Sequence, residues 1–138
     1  MEKFKFDIYL KETGNLFPEV ESLNSYDRAV ILSNILKLLG LNKNSELFVE
    51  IERNLSSKDF DEDYVQNINK ILKGFNFETT DYLFLVWNND DIDKVKTKVL
   101  IENWSYIWYG DSDEAVVVYD NENSKILLIT HYGRVFYN

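Results

Sequence analysis

Residues 104–138 read WSYIWYGDSDEAVVVYDNENSKILLITHYGRVFYN, and this stretch decides the fold. Residues 115–119, 125–130 and 134–137 form three runs that are rich in β-branched, aliphatic and aromatic side chains, a composition typical of strands. Polar turn-forming residues separate the first two runs, and a segment that contains Gly133 separates the second from the third. This spacing predicts an antiparallel hairpin that is extended into a three-stranded meander.

An aromatic cluster and an acidic loop precede the meander. Trp108 and Tyr109 are followed directly by residues 110–114, which read GDSDE. Carboxylates stay at the surface unless they are paired, so we expect this loop at the mouth of the sheet. Aromatic surface beside carboxylates indicates a binding site, although a buried aromatic core next to a solvated turn explains the same pattern. The candidate binding residues are Trp108, Tyr109, Asp111, Asp113, Glu114 and His131.

His131 is the single histidine of the chain and follows the second run of the meander. In a hairpin, the end of the second strand lies near the start of the first, so His131 is expected close to Asp113 or Glu114. Such a pair could lock the loop, or His131 could act as a general base that Asp111 or Asp113 orients. The alternative function is therefore a small hydrolase or ligand-binding enzyme that uses His131 with Asp113.

The motifs that would accompany catalysis or metal binding are missing from the sequence. We find no nucleophile motif, no glycine-rich phosphate loop and no second base, so we predict no catalytic residues and no enzyme. Asp111, Asp113 and Glu114 offer oxygen ligands, but they lack the loop length and glycine placement of a calcium-binding EF-hand. We therefore predict neither a metal site nor a cofactor.

Composition narrows the class of partner. The 138 residues predict one domain, 1–138, and contain 15 Lys and Arg against 24 Asp and Glu, a net charge of −9. This negative net charge weighs against nucleic-acid binding and suits a basic protein partner. The alternative is that it serves only the solubility of the chain. There is no cysteine, which excludes disulfides and a thiol nucleophile. The first residues lack a signal-peptide pattern and no apolar run has the length of a membrane span, so we expect a cytoplasmic protein without membrane association.

The rest of the chain supplies helices and one further strand. Residues 82–87, YLFLVW, predict a central strand because the run is continuously apolar. Apolar periodicity predicts helices over 25–39, 45–54 and 59–73, with Ser25 and Ser45 as N-terminal caps.

Two segments have ambiguous patterns. Residues 92–104 favour a helix that ends near Asn103, although 99–101 alone would suit a strand. Residues 4–10 alternate as in an edge strand, with a helical turn as the competing interpretation. Since helices lead and strands follow, we predict an α+β fold with N-terminal helices packed on one face of a C-terminal antiparallel sheet. Its strands are expected near 82–87, 115–119, 125–130 and 134–137.

The last third of the chain resembles a known class of bacterial proteins. Residues 107–114 (IWYGDSDE), the hairpin and residues 131–136 (HYGRVF) resemble the C-terminal pattern of small immunity proteins encoded beside polymorphic or contact-dependent toxins. The resemblance implies a cytoplasmic antidote that binds and blocks one cognate toxin domain. It transfers no catalytic residues and implies that Trp108, Asp111, Asp113 and Glu114 contact the toxin. An acidic antidote suits a basic nuclease, whose own substrate is a polyanion.

Overall fold

The fold combines six helices and seven strands in the part of the chain that the structure, a computed structural model, describes: residues 1–42, 46–77, 80–112 and 115–138. The helices are α1 (Lys3–Thr13), α2 (Ser25–Leu39), α3 (Leu47–Asn54), α4 (Glu62–Val65), α5 (Ile68–Gly74) and α6 (Thr97–Ile107). The strands are β1 (Val20–Ser22), β2 (Ser56–Asp59), β3 (Tyr82–Asn88), β4 (Asp91–Lys96), β5 (Val116–Asp120), β6 (Lys125–Ile129) and β7 (Arg134–Tyr137). The predicted α+β class is confirmed.

All strands join one antiparallel sheet in the order β1-β4-β3-β5-β6-β7-β2. The predicted meander is present: Val118 faces Leu127 across β5 and β6, and Leu128 faces Phe136 across β6 and β7. The predicted strand at 82–87 is β3, and it pairs with β5. Short strands from the N-terminal half, β1 and β2, form the two edges of the sheet.

Helices pack on both faces of this sheet, so the expectation of packing on one face is wrong. On one face, side chains such as Val118 and Leu127 contact the cluster that includes Leu72 of α5 and Trp104 of α6. On the other face, their sequence neighbours, such as Val117, pack with residues of α2 and α3. The reason lies in β5, where every residue is buried: a strand that is apolar at successive positions needs cover on both sides.

The helix predicted over 25–39 is confirmed as α2, with Gly40 in the left-handed conformation after it. Its cap is Asn24 rather than Ser25, because the Asn24 side chain accepts a hydrogen bond of 2.9 Å from the backbone N–H of Asp27. The helix predicted over 45–54 is α3, which begins at Leu47; the proposed cap Ser45 lies outside the described residues.

The single helix predicted over 59–73 is wrong, because the segment forms β2, α4 and α5 in succession. The Asp61 carboxylate accepts a hydrogen bond of 2.8 Å from the N–H of Tyr64, and Asn67 accepts one of 3.2 Å from the N–H of Lys70. Each of these side chains starts a new helix, and short polar side chains of this kind compete with a continuous helix for the backbone. Phe60 therefore lies in the connection between β2 and α4, and the residues after α4 form a turn, so neither belongs to a helix.

Two further expectations are corrected. Within 92–104, residues up to Lys96 form β4, and α6 follows from Thr97, passes a non-helical residue at Asn103 and ends at Ile107. Residues 4–10 belong to the helix α1 and do not form an edge strand, so the competing helical interpretation is confirmed. The Tyr9 ring of α1 packs against Tyr106 of α6, with centroids 4.9 Å apart. In the described ranges, no helix has the length and apolarity that crossing a membrane requires.

A buried polar cluster holds the turn between β5 and β6. Asp120 is fully buried, and its carboxylate accepts hydrogen bonds from the Thr80 hydroxyl at 2.6 Å and from the Asn123 amide at 2.8 Å. It also accepts from the backbone N–H groups of Glu122 and Asn123, both at 3.1 Å. One side chain thus joins the turn to the residues that lead into β3.

Candidate functional site

Three segments of the chain enclose a cleft of about 280 Å³, which we call the Trp108 cleft. They are the stretch around α4, the residues that follow α6, and the turn between β6 and β7. Its lining residues are Phe60, Val65, Gln66, Trp108, Gly110, Asp111, His131, Tyr132 and Gly133. Three of the six predicted binding residues, Trp108, Asp111 and His131, therefore meet at one cavity.

Trp108 forms the floor of the cleft and is also part of the core. Its side chain is only 3% exposed, and its ring stacks on that of Trp104, with centroids 5.5 Å apart and planes 12° apart. Trp104 in turn donates a hydrogen bond of 3.1 Å from its indole N–H to the carbonyl of Val65. The aromatic core and the cleft are thus one structure, and the paired indoles make the floor rigid.

Gly110 allows the chain to pass close to this floor. A Cβ atom at Gly110 would lie 2.9 Å from the six-membered ring of Trp108, which is closer than a side chain tolerates. The backbone of the short 3-10 turn at Gly110–Ser112 can therefore lie against the indole, and Asp111, which is exposed, stands at the rim.

The turn between β6 and β7 forms the opposite wall and is fixed by hydrogen bonds. The Thr130 hydroxyl donates to the carbonyl of Arg134 at 2.7 Å and accepts from its N–H at 3.1 Å. The N–H of Phe60 donates to the carbonyl of Gly133 at 2.8 Å. These bonds position the exposed rings of His131 and Tyr132, which meet edge to face with centroids 5.0 Å apart.

Arg134 ties the base of this turn to the sheet edge. Its guanidinium bonds the Asp59 carboxylate through two nitrogens, at 2.7 and 3.3 Å. Hydrogen bonding and charge from Arg134 lower the pKa of Asp59 below its ordinary value of 3.8, and the same contact raises the pKa of Arg134. Both side chains are exposed, so the pair contributes modestly to stability.

We expect the stabilisation by this ion pair to disappear in acid. Because the folded-state pKa of Asp59 is lowered, the contribution is present above pH 3.8 and is lost as the pH falls through the folded-state value. Urea unfolding should show Asp59→Asn less stable than the wild type at neutral pH, and the two midpoints should converge in acid. The control Asp7→Asn removes an exposed carboxylate of α1. A difference between wild type and Asp59→Asn that stays constant across this pH range would contradict the assignment.

Of the other predicted residues that the structure describes, Tyr109 does not line the cleft. Tyr109 lies against α1, where its ring centroid is 5.6 Å from that of Phe4 and 5.8 Å from the ammonium of the buried Lys5. Asp113 and Glu114 lie outside the described residues, and so does the predicted proximity of His131 to either of them.

Several lining residues were absent from the prediction. Phe60, Val65 and Gln66 were assigned to one long helix, and Tyr132 and Gly133 to a plain turn. Gly133 has a φ of +85°. A glycine in a short turn is a sequence signal for such a backbone conformation, and it is the one signal for this part of the cleft.

Within the described ranges, no group of three or more His, Asp or Glu side chains is placed to hold a metal ion. No family model matches the chain, and comparisons with curated proteins and with solved structures find no match either.

Proposed function

We propose that the protein is an immunity-type antidote that binds one basic protein domain, a nuclease toxin, and blocks it. The observation that carries this proposal is the Trp108 cleft: a preformed cavity with an apolar floor and a polar rim, open at the surface of an acidic chain. Protein interfaces concentrate binding energy in such pockets, where an anchor residue of the partner is desolvated and a polar rim excludes water.

Charge supports the same class of partner. With 24 acidic against 15 basic residues, the chain attracts a basic surface at long range and speeds the encounter. A nuclease carries such a surface because it binds a polyanion. An antidote to a nuclease that attacks nucleic acid in the cytoplasm would act in that compartment.

Exposure marks the contact residues that we propose. Tyr132 is 53% exposed beside the cleft, and tyrosine is among the residues that most often dominate interface energetics. Asp111 and His131 are exposed on either side of it. Trp108, being almost fully buried, would support the site from below and touch the partner through one edge.

The test is capture of the partner from native lysate, followed by affinity measurements on variants. We expect one basic protein that is released by high salt, because salt screens exposed charges. Tyr132→Ala should weaken its binding by roughly tenfold or more, the effect of losing an interface anchor, and Asp111→Asn by about fivefold.

The matched control is Asp7→Asn, which removes the same charge from an exposed position on α1 and should change the affinity less than about twofold. Equal binding by all three variants would place the interface elsewhere. Capture of an acidic protein or of nucleic acid would contradict the proposed function itself.

A further inference from the structure

We infer that the Trp108 cleft accepts an arginine side chain of the partner. The inference rests on the proposed function, because it names the chemical group through which a basic protein would engage this cleft. The size of the cleft limits the occupant to about one side chain, and wall chemistry and charge favour a guanidinium.

The size of the cleft favours a single side chain. Sites for cofactors and drug-sized molecules occupy roughly 300–1,000 Å³, and this cleft measures about 280 Å³. It is bounded by segments that hydrogen bonds hold together, so it is preformed and has little room to widen.

The walls suit a planar cation. The exposed aromatic ring of the cleft is that of Tyr132, beside the half-buried Phe60, whereas the buried Trp108 offers only an edge. Guanidinium groups stack on aromatic faces more readily than ammonium groups do. The structure itself contains such a contact, because the guanidinium of Arg134 lies 5.9 Å from the ring centroid of Tyr132.

The rim supplies hydrogen-bond acceptors. Asp111 contributes a carboxylate and Gln66 an amide oxygen, whereas none of the described residues lining the cleft is lysine or arginine. Arg134 nearby is held by Asp59 through two hydrogen bonds. An anionic group would be repelled by Asp111, and an apolar side chain would leave that carboxylate without compensation for its lost water.

Other cavities match a guanidinium less well. The groove of about 590 Å³ beside Tyr82 is lined by two lysines as well as two carboxylates, so it has no net negative charge to attract a cation. The cavity of about 390 Å³ near Glu46 is acidic, but the Lys5 ammonium lies 3.8 Å from the ring centroid of its Trp87, closer than the 5.9 Å between the Arg134 guanidinium and the Tyr132 ring centroid. Among the described residues, the lining of the Trp108 cleft combines aromatic side chains with acceptors and includes no lysine or arginine.

The experiment titrates the full chain with Nα-acetyl-arginine methylamide and follows the imidazole resonances of His131 by NMR. His131 is the only histidine, so its signals are assigned without ambiguity. We expect saturable shifts with a Kd on the order of 1 mM, as for a ligand of this few atoms. The neutral isostere, the citrulline derivative, should bind at least about fivefold more weakly, and the lysine derivative should bind more weakly than arginine.

Two variants complete the test. Asp111→Asn should weaken binding of the arginine probe at least about fivefold, whereas Asp7→Asn should leave it unchanged. Absence of saturable shifts, or equal binding of the arginine and citrulline probes, would overturn the inference. If that result accompanies a captured basic partner whose binding Tyr132→Ala abolishes, the proposed function stands without it. If the arginine probe binds but the captured partner is acidic, the proposed function fails and the chemistry of the cleft stands.

Discussion

Replacing Gly133 with alanine is expected to lower the free energy of unfolding by about 2–5 kcal/mol, the sum of a positive-φ cost and an overpacking cost. Gly133 has a φ of +85°, and a Cβ atom there would lie 2.5 Å from the carbonyl oxygen of Phe60. That oxygen belongs to the backbone, and the N–H of Phe60 donates a hydrogen bond to the carbonyl of Gly133. Neither of these two segments can therefore move away from the other without losing the bond. Urea unfolding followed by circular dichroism measures the loss.

Gly14→Ala is the matched control for this change. Gly14 has a similar φ of +72°, but a Cβ atom there meets nothing within 4 Å. It should therefore show only the conformational cost, about 1–2 kcal/mol. The difference between the two variants isolates the clash with Phe60. Equal losses in Gly133→Ala and Gly14→Ala would show that the turn and the Phe60 backbone are not in the tight contact described.

Asp120→Ala is expected to cost about 3–5 kcal/mol, because several buried or half-buried donors would lose their acceptor at once. The side chain is fully buried, and the Thr80 hydroxyl, the Asn123 amide and two backbone N–H groups all point to it. The alanine side chain accepts a hydrogen bond from none of these donors, and the removed carboxylate leaves unfilled space in the core. The measurement is again urea unfolding at neutral pH.

Two comparisons sharpen the Asp120 result. Asp120→Asn keeps the shape but turns one acceptor into a donor that faces the Asn123 amide, so it should cost less than alanine, roughly 1–3 kcal/mol. Glu122→Ala changes an exposed neighbour whose contact with Asp120 is through its backbone, and should cost less than about 0.5 kcal/mol. A loss for Asp120→Ala no larger than for Glu122→Ala would refute the role of the cluster.

Local signals account for the parts of the fold that the sequence predicted. In β5 to β7, apolar runs and polar turns are adjacent in the chain, so pairing partners are sequence neighbours. The continuous apolar run of β5 also indicates that helices pack on both faces of the sheet, whereas the prediction placed them on one face. The edge strands had no comparable signal: Ser56–Asp59 is polar and fully exposed, and it is a strand only because it pairs with β7.

The contrast between local signals and long-range pairing also explains which residues of the Trp108 cleft were predicted. Trp108, Asp111 and His131 were predicted together because a hairpin brings the turn after its second strand back toward the loop before its first. Phe60 reaches the cleft through its backbone hydrogen bond to Gly133, and the segment before Gln66 is held by the bond from Trp104 to the Val65 carbonyl. Helical periodicity contains no information about such long-range pairings. Asp61 and Asn67 were the local signals that the segment breaks into separate helices.

The order of the strands in the sheet also bears on edge-to-edge association between copies of the chain. β5, in which every residue is buried, is the middle strand of seven, with three strands on either side. The outermost strands are short and polar, VES at one end and SSKD at the other, and the second includes Lys58. Open strand edges recruit strands from other molecules, and shortness and charge discourage that recruitment. The two edge strands of this sheet therefore have the length and polarity that disfavour edge-to-edge association between copies of the chain.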